Sequence, residues 1–198
     1  MKKNIAIVAG GYSSEFGVSL KSAQGIYSFL DKDKYNLYIA VVKHDEWVIE
    51  QPNGESLPID KNDFSFILDG EKIKIDYAYI TIHGTPGEDG RLQGYFDMIG
   101  LPYSSRGALA STITFNKYVC NHYLNDLGIR IADSIHLFKN ETVSEDEVVA
   151  KLGLPLFVKP NDGGSSFGVT KVKSKEELLP AIDKAFGEGN EVVIESFI

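Results

Sequence analysis

Residues 4–20 read NIAIVAGGYSSEFGVSL, a stretch that combines the local patterns of an α/β fold. Residues 4–9 form a continuous apolar run, which is typical of a strand buried on both faces of a sheet. A second apolar run, YNLYIAVV at 35–42, completes a strand–helix–strand unit, for which a right-handed crossover is expected. Between the two runs, two glycines are followed by apolar residues at roughly helical spacing: Val18, Ala23, Ile26 and Leu30.

The alternation of predicted strands and helices continues as far as residue 105. The run YAYITI at 77–82 predicts a third buried strand, and residues 91–99 predict a short helix that Gly100 ends. Residues 46–74 contain short strand-like pieces and turn residues, which we interpret as a small excursion. Strands separated by helices predict a parallel, doubly wound sheet for residues 1–105.

Residues 106–198 have a different order of elements, which predicts an α+β domain. Residues 116–127 have a helical pattern, and EVVIESFI at 191–198 reads as a strand. The runs LFVKP and FGVTKV lie close together within residues 156–172, so they are expected to form a hairpin. The sequence therefore predicts a domain boundary after residue 105.

The composition limits the classes of partner. The chain has 198 residues, 43% hydrophobic and 24% charged, as in an ordinary globular protein. Its formal charge of −8 disfavours nucleic acid or an anionic membrane as a partner, because both require an excess of Lys and Arg. The N-terminal apolar run is too short for a signal peptide or a membrane span, and a single cysteine, Cys120, suits a reducing compartment, so a cytoplasmic location is expected. We interpret Cys120 as a buried structural thiol.

The glycine-rich stretch PNDGGSSFG, residues 160–168, joins the two strands of the predicted hairpin. Glycines let a ligand approach the main chain, and successive N–H groups, helped by the hydroxyls of Ser165 and Ser166, form a donor set suited to phosphate. The stretch is neither a Walker A loop nor a dinucleotide fingerprint. A simple flexible hairpin connection explains it equally well.

Two lysines favour the phosphate interpretation. Lys159 lies in the otherwise apolar run LFVKP on the same face as Phe157, where its ammonium group must reach water or pair with an anion. Lys117 lies in the first turn of the predicted 116–127 helix, where the helix dipole disfavours a cation unless an anion is bound. Taken singly, each is also compatible with an ordinary surface lysine.

Two further polar residues follow predicted parallel strands. Glu15 comes after the first strand at a helix start, and His83 comes directly after YAYITI. The carboxyl ends of parallel strands are where open α/β folds bind ligands, so the two side chains are expected to converge on a site. A helix-start carboxylate and a structural histidine are the alternatives.

Five segments, in order and spacing, resemble the D-alanine–D-alanine ligase family of the ATP-grasp superfamily. They are GGYSSEFGVSL, IHGTPGEDGRLQGYFDMIGLPYSS, TFNK, LPLFVKPNDGGSSFGV and EVVIESFI. The resemblance implies a pre-ATP-grasp substrate-binding domain at 1–105 and a central ATP-grasp subdomain at 106–198. It also implies a C-terminal ATP-grasp domain without a counterpart here. The family usually has Asp where this chain has Asn116, a change that keeps the adjacent cation, Lys117.

The family's reaction is implied by this resemblance. ATP phosphorylates one D-alanine to an acylphosphate, and the amine of a second D-alanine displaces the phosphate to give D-alanyl-D-alanine for peptidoglycan synthesis. The implied first-substrate residues are Glu15, Val18 and His83, with Ser165 also assigned to catalysis. The implied ATP-binding residues are Lys117, Lys159, Gly164, Ser165, Ser166, Phe167, Glu195, Ser196 and Ile198.

The resemblance also implies a Mg²⁺ or Mn²⁺ ion, with ligands expected in the C-terminal domain and none assigned here. The 198 residues alone are therefore expected to be an inactive fragment. A D-alanine–D-lactate or D-alanine–D-serine ligase, a non-catalytic nucleotide-binding module and a fragment that associates with intact subunits are the alternatives. A homodimer is left open.

Overall fold

The computed structural model describes residues 2–198, which form two compact units. The first ends at Thr112 and the second covers Ile113–Ile198. The boundary expected after residue 105 stays a prediction. No helix among the described residues is long and apolar enough to cross a membrane, the longest having 14 residues.

The first unit is built on a five-stranded sheet. In chain order its elements are β1 (Lys3–Gly10), α1 (Phe16–Phe29), β2 (Tyr35–Val42), β3 (Trp47–Glu50), β4 (Ser56–Pro58), β5 (Phe66–Leu68), β6 (Glu71–Ile73), β7 (Tyr77–Ile80) and α2 (Arg91–Ile99). Helix α3 (Ala108–Phe115) runs across the boundary between the units. The strand order in the sheet is β4-β3-β2-β1-β7.

The centre of this sheet is parallel, as predicted, but its edge is not. Strand β1 pairs in parallel with β2 and with β7. Strands β3 and β4 extend the sheet with antiparallel pairing, and β5 pairs with β6 as a separate hairpin. The interpretation of residues 46–74 as an excursion is therefore wrong for its first half. Those strands are too short for their own periodicity to show that they join the sheet.

The apolar run of β1 is explained by burial on both faces. Ala6 and Val8 pack into a core with α2 and the β5–β6 hairpin, whereas Ile7 and Ala9 pack against α1 at Ala23. Successive side chains of a strand point to opposite faces, so a strand covered on both sides must be apolar at every position. The doubly wound arrangement follows from this pattern.

The second unit is a four-stranded antiparallel sheet with helices on both sides. Its elements are α4 (Lys117–Asp126), β8 (Ser134–Phe138), α5 (Glu145–Leu152), β9 (Leu156–Pro160), β10 (Thr170–Val172), α6 (Leu178–Phe186) and β11 (Glu191–Ser196). The strand order is β10-β9-β11-β8, and β9 and β10 form the predicted hairpin. One face packs against α5 and α6 through apolar side chains that include Leu156, Val158 and Ile194. The other face carries Lys159 and Glu195, and α4 contacts it.

Glu15 lies at a helix start, as expected, whereas the expected burial of Cys120 is wrong. Helix α1 begins at Phe16 with Glu15 at the cap position, and the hydroxyl of Ser13 accepts a bond from the Glu15 N–H. Cys120 is only half-buried, and none of the residues of α4, the helix to which it belongs, is buried. The core of this unit lies on the opposite face of the sheet, against α5 and α6, so the apolar positions of α4 do not enter it.

Candidate functional site

A cavity of about 340 Å³ in the second unit brings together most of the predicted ATP-binding residues. Seven of the nine line it: Lys117, Lys159, Gly164, Ser165, Ser166, Phe167 and Glu195. Ser196 and Ile198 are not among its lining residues, and Ile198 is 88% exposed. Asp162 lines the cavity as well and was not anticipated.

Lys159 has its counter-ion inside the protein. Its ammonium Nζ lies 2.6 Å from Oε2 of Glu195, and the two side chains retain 22% and 12% of their exposure. Strands β9 and β11 are antiparallel neighbours with Lys159 opposite Val193 and Glu195 opposite Phe157, so the two ions are diagonal partners on one face. The sequence left open whether the Lys159 ammonium reaches water or pairs with an anion, and it did not identify Glu195 as the partner.

The N-terminus of α4 is closed by protein groups. Oδ1 of Asn116 accepts from the Val119 N–H at 2.8 Å, and Oδ1 of Asn161 accepts from the Tyr118 N–H at 2.9 Å. The Lys117 N–H donates to the carbonyl of Asn161 at 3.1 Å. These donors of the first turn are occupied, so an anion at this end of the cavity meets the Lys117 side chain and not these three N–H groups.

The ammonium group of Lys117 is tied to the glycine-rich loop. It donates to the carbonyl of Gly163 at 2.8 Å and to that of Asn161 at 3.2 Å. Burial lowers the pKa of Lys117, and the nearby charge of Lys159 lowers it further, whereas Asp162 and Glu195 act in the opposite direction. The acceptors of the Lys117 ammonium group are thus two carbonyl oxygens, which carry no full charge.

The loop itself has unusual backbone geometry. Ser165 and Ser166 have φ values of 49° and 59°, in the left-handed region, and both are exposed. This conformation costs a non-glycine residue about 1–2 kcal/mol. Gly163, at φ 118°, is one position where only glycine is unstrained. Segments with such strain are frequently ligand clamps, and the role of Ser165 stays a prediction.

In the first unit, the side chain of Ser13 links the main chains of Glu15 and His83. The hydroxyl of Ser13 donates to the His83 carbonyl at 2.8 Å and accepts from the Glu15 N–H at 3.2 Å. Glu15 is 5% exposed, and the backbone of Gly84 approaches its carboxylate. Val18 follows on α1 and is 53% exposed. Glu15 and His83 follow the ends of β1 and β7, and convergence of their side chains on a site stays a prediction.

Two residues of this site were not predicted from the sequence. They are Asn161, which is fully buried directly after β9, and Asn121, whose amide donates to Oε1 of Glu195 at 3.0 Å. A polar residue directly after Pro160, at the end of an apolar strand, was the available signal for Asn161. For metals, no cluster of three or more His, Cys, Asp or Glu suited to an ion exists among residues 2–198. These residues therefore offer no ligand set for the implied Mg²⁺ or Mn²⁺, whose ligands the family resemblance places in the C-terminal ATP-grasp domain.

Comparison with known proteins gives a consistent result. The family description "D-ala D-ala ligase N-terminus" matches residues 4–106, and "D-ala D-ala ligase C-terminus" matches residues 123–198. The chain belongs to the D-alanine–D-alanine ligase family. A D-alanine–D-alanine ligase from Parabacteroides distasonis is 73% identical over 198 residues, which are 100% of this chain and 60% of the relative.

Solved structures of this ligase family have the same fold. The VanG D-Ala:D-Ser ligase from Enterococcus faecalis has a TM-score of 0.84 at 31% identity, covering 100% of this chain and 63% of that one. A D-alanine–D-alanine ligase from Bacillus anthracis complexed with ATP has a TM-score of 0.74 at 34% identity, covering 99% and 60%. The chain thus spans about 60% of the length of the relatives that it matches.

Proposed function

We propose that this chain belongs to an ATP-dependent ligase that joins two D-alanine molecules through an acylphosphate, for peptidoglycan synthesis. The observation that carries the proposal is the cavity at which Lys117, Lys159 and the glycine-rich loop meet. In the proposal these groups bind the phosphates of ATP. Membership of the ligase family and the ATP complex of a relative support the choice of nucleotide.

The phosphate-binding role agrees with the chemistry of phosphoryl transfer, which depends on positioning and on neutralisation of charge. Lys117 and Lys159 supply positive charge, and the main chain from Gly164 to Phe167 supplies small, closely approachable donors. In the proposal this loop covers the phosphates with the help of Ser165 and excludes water, which matters because an acylphosphate hydrolyses readily.

The proposal also assigns residues to the first substrate and to the adenine of ATP. In the first unit, Glu15 holds the ammonium group of the first D-alanine, with Val18 beside it and His83 near the carboxylate that reacts. Burial of the Glu15 side chain, and the Ser13 hydroxyl that bridges the main chains of Glu15 and His83, support this assignment. In the second unit, Glu195, Ser196 and Ile198 meet the adenine. We place the enzyme in the cytoplasm, where a single cysteine stays reduced.

ATP binding is expected to take up a proton at alkaline pH. In the free protein the pKa of Lys117 is lowered, so above that pKa most molecules carry a neutral Lys117 amine. A bound phosphate favours the charged form of this side chain. Affinity should therefore be constant below the lowered pKa and fall as pH rises through it. Titration calorimetry in buffers of different ionisation enthalpy measures the proton uptake, and Lys117→Met should abolish it. An uptake that Lys117→Met leaves unchanged would contradict the assignment.

The 198 residues alone are expected to bind ATP without releasing phosphate, because they span about 60% of their relatives. The test is a phosphate-release assay with ATP and D-alanine. Release that depends on D-alanine would show this expectation to be wrong. Absence of any ATP binding would contradict the phosphate assignment.

The second candidate is a D-alanine–D-serine ligase, favoured by the structural match to the E. faecalis enzyme. Assays of a full-length ligase containing this chain, with D-alanine, D-serine and D-lactate as second substrate, distinguish the candidates. D-alanine is expected to give the highest kcat/KM, in agreement with the name of the 73% identical relative.

A further inference from the structure

Asn161 joins the sheet of the second unit to the start of α4 through its main chain. Its N–H donates to the carbonyl of Glu191 at 2.9 Å, which anchors it to β11. Its own carbonyl accepts from the Lys117 N–H at 3.1 Å and from the Lys117 ammonium at 3.2 Å. The residue is 0% exposed, so water does not compete for these bonds.

The side chain of Asn161 makes the same connection a second time. Its Oδ1 accepts from the Tyr118 N–H at 2.9 Å, and its Nδ2 donates to Oε2 of Glu191 at 2.7 Å. The same oxygen of Glu191 lies 2.8 Å from Nε2 of His136, and the His136 ring stacks on Tyr118 with centroids 4.5 Å apart. An ionised carboxylate only accepts hydrogen bonds, so Glu191 fixes which end of the amide faces α4.

We propose that Asn161 is a positioning residue that holds the first turn of α4, and with it Lys117, at the phosphate end of the cavity, with Glu191 setting the orientation of its amide. The inference rests on the proposed role of Lys117 in binding ATP. It extends that role by naming a residue that places the lysine and that itself does not line the cavity.

Asn161→Asp removes this orientation with almost no change of shape. A carboxylate has no donor for Glu191 and is repelled by it, so the bond to the Tyr118 N–H is weakened as well. The double variant Asn161→Asp/Glu191→Gln restores a donor–acceptor pair with reversed polarity. The amide of Gln then donates to the new carboxylate and to Nε2 of the His136 tautomer that carries its proton on Nδ1.

The test is calorimetry with ATP, together with NMR of the ¹³Cε groups of Lys117 and Lys159, on the 198-residue chain. Asn161→Asp is expected to weaken ATP binding about tenfold, as for loss of one hydrogen bond to a charged group. The ATP-induced shift of Lys117 should shrink while that of Lys159 persists. The double variant should recover most of both signals.

A matched control is Asn53→Asp. Asn53 donates from Nδ2 to Oε2 of Glu55 at 3.0 Å, the same amide–carboxylate contact on an exposed turn of the first unit. This variant should leave ATP affinity unchanged. Circular dichroism shows whether each variant is folded. If Asn161→Asp does not fold, the double variant is used for the test instead.

Three outcomes are distinguished. If the wild-type chain binds no ATP, the proposed function fails. If the wild type binds ATP but folded Asn161→Asp binds it equally well, the positioning role fails. If Asn161→Asp loses the shifts of both lysines in equal measure, or the folded double variant recovers neither signal, Asn161 has only a general structural role and the inference is overturned.

Discussion

Lys159→Met is expected to lower the affinity for ATP at least about a hundredfold, because each hydrogen bond to a charged group contributes about 1.5–3 kcal/mol and the lysine is partly desolvated. Its side chain is 22% exposed and faces the cavity from β9. Methionine keeps the aliphatic stem and removes the charge. Titration calorimetry with ATP measures the change. An affinity of Lys159→Met for ATP within threefold of wild type would contradict the proposed phosphate-binding role of Lys159.

The same substitution should also destabilise the second unit, since it leaves Glu195 without its cation. A fully buried pair costs about 3–5 kcal/mol to break, and the remaining exposure of both side chains reduces this to about 2 kcal/mol. Lys159→Met/Glu195→Gln should recover most of that stability without recovering ATP binding. Denaturant unfolding followed by circular dichroism measures the free energy of unfolding of each variant.

The matched control is the ion pair between Lys175 and Asp146. Its Nζ–Oδ1 distance is also 2.6 Å, but the side chains are 41% and 81% exposed. Lys175→Met should change stability much less than Lys159→Met, because exposed ion pairs contribute little. It should leave ATP affinity unchanged. Equal effects at Lys159 and Lys175 would mean that burial of the first pair is energetically unimportant.

Gly10→Ala is expected to destabilise the first unit by about 3 kcal/mol or more, from the sum of left-handed strain and overpacking. Gly10 has φ 96°, and an added Cβ would lie 2.5 Å from the backbone oxygen of Val42, which cannot move without disturbing β2. Fluorescence of Trp47, the single tryptophan, reports unfolding of this unit during a denaturant titration.

Gly54 provides the control for Gly10. Its φ of 87° is similar, but no heavy atom lies within 4 Å of an added Cβ. Gly54→Ala should therefore show only the conformational cost of about 1–2 kcal/mol. If both substitutions cost the same, the close approach at Gly10 does not contribute to stability.

The sequence predicted best where a pattern is local. The apolar run of β1 and the helix Arg91–Ile99 with its terminating Gly100 follow from short-range rules, and both agree with the structure. The edge strands β3 and β4 were missed because each has four residues or fewer, and their place in the sheet depends on pairing with β2. Such pairing leaves no periodic signal in a short segment.

The sequence by itself determined the two fold classes and the candidate lysines, and it limited the Lys159 ammonium to water or an anion as its partner. The tertiary structure decided which groups meet. Glu195 lies 36 residues from Lys159 in the chain, and Asn161 lies 44 residues from Lys117. These contacts follow from strand register and helix docking, which depend on the packing of distant segments, so a residue type and its local spacing carry no record of them.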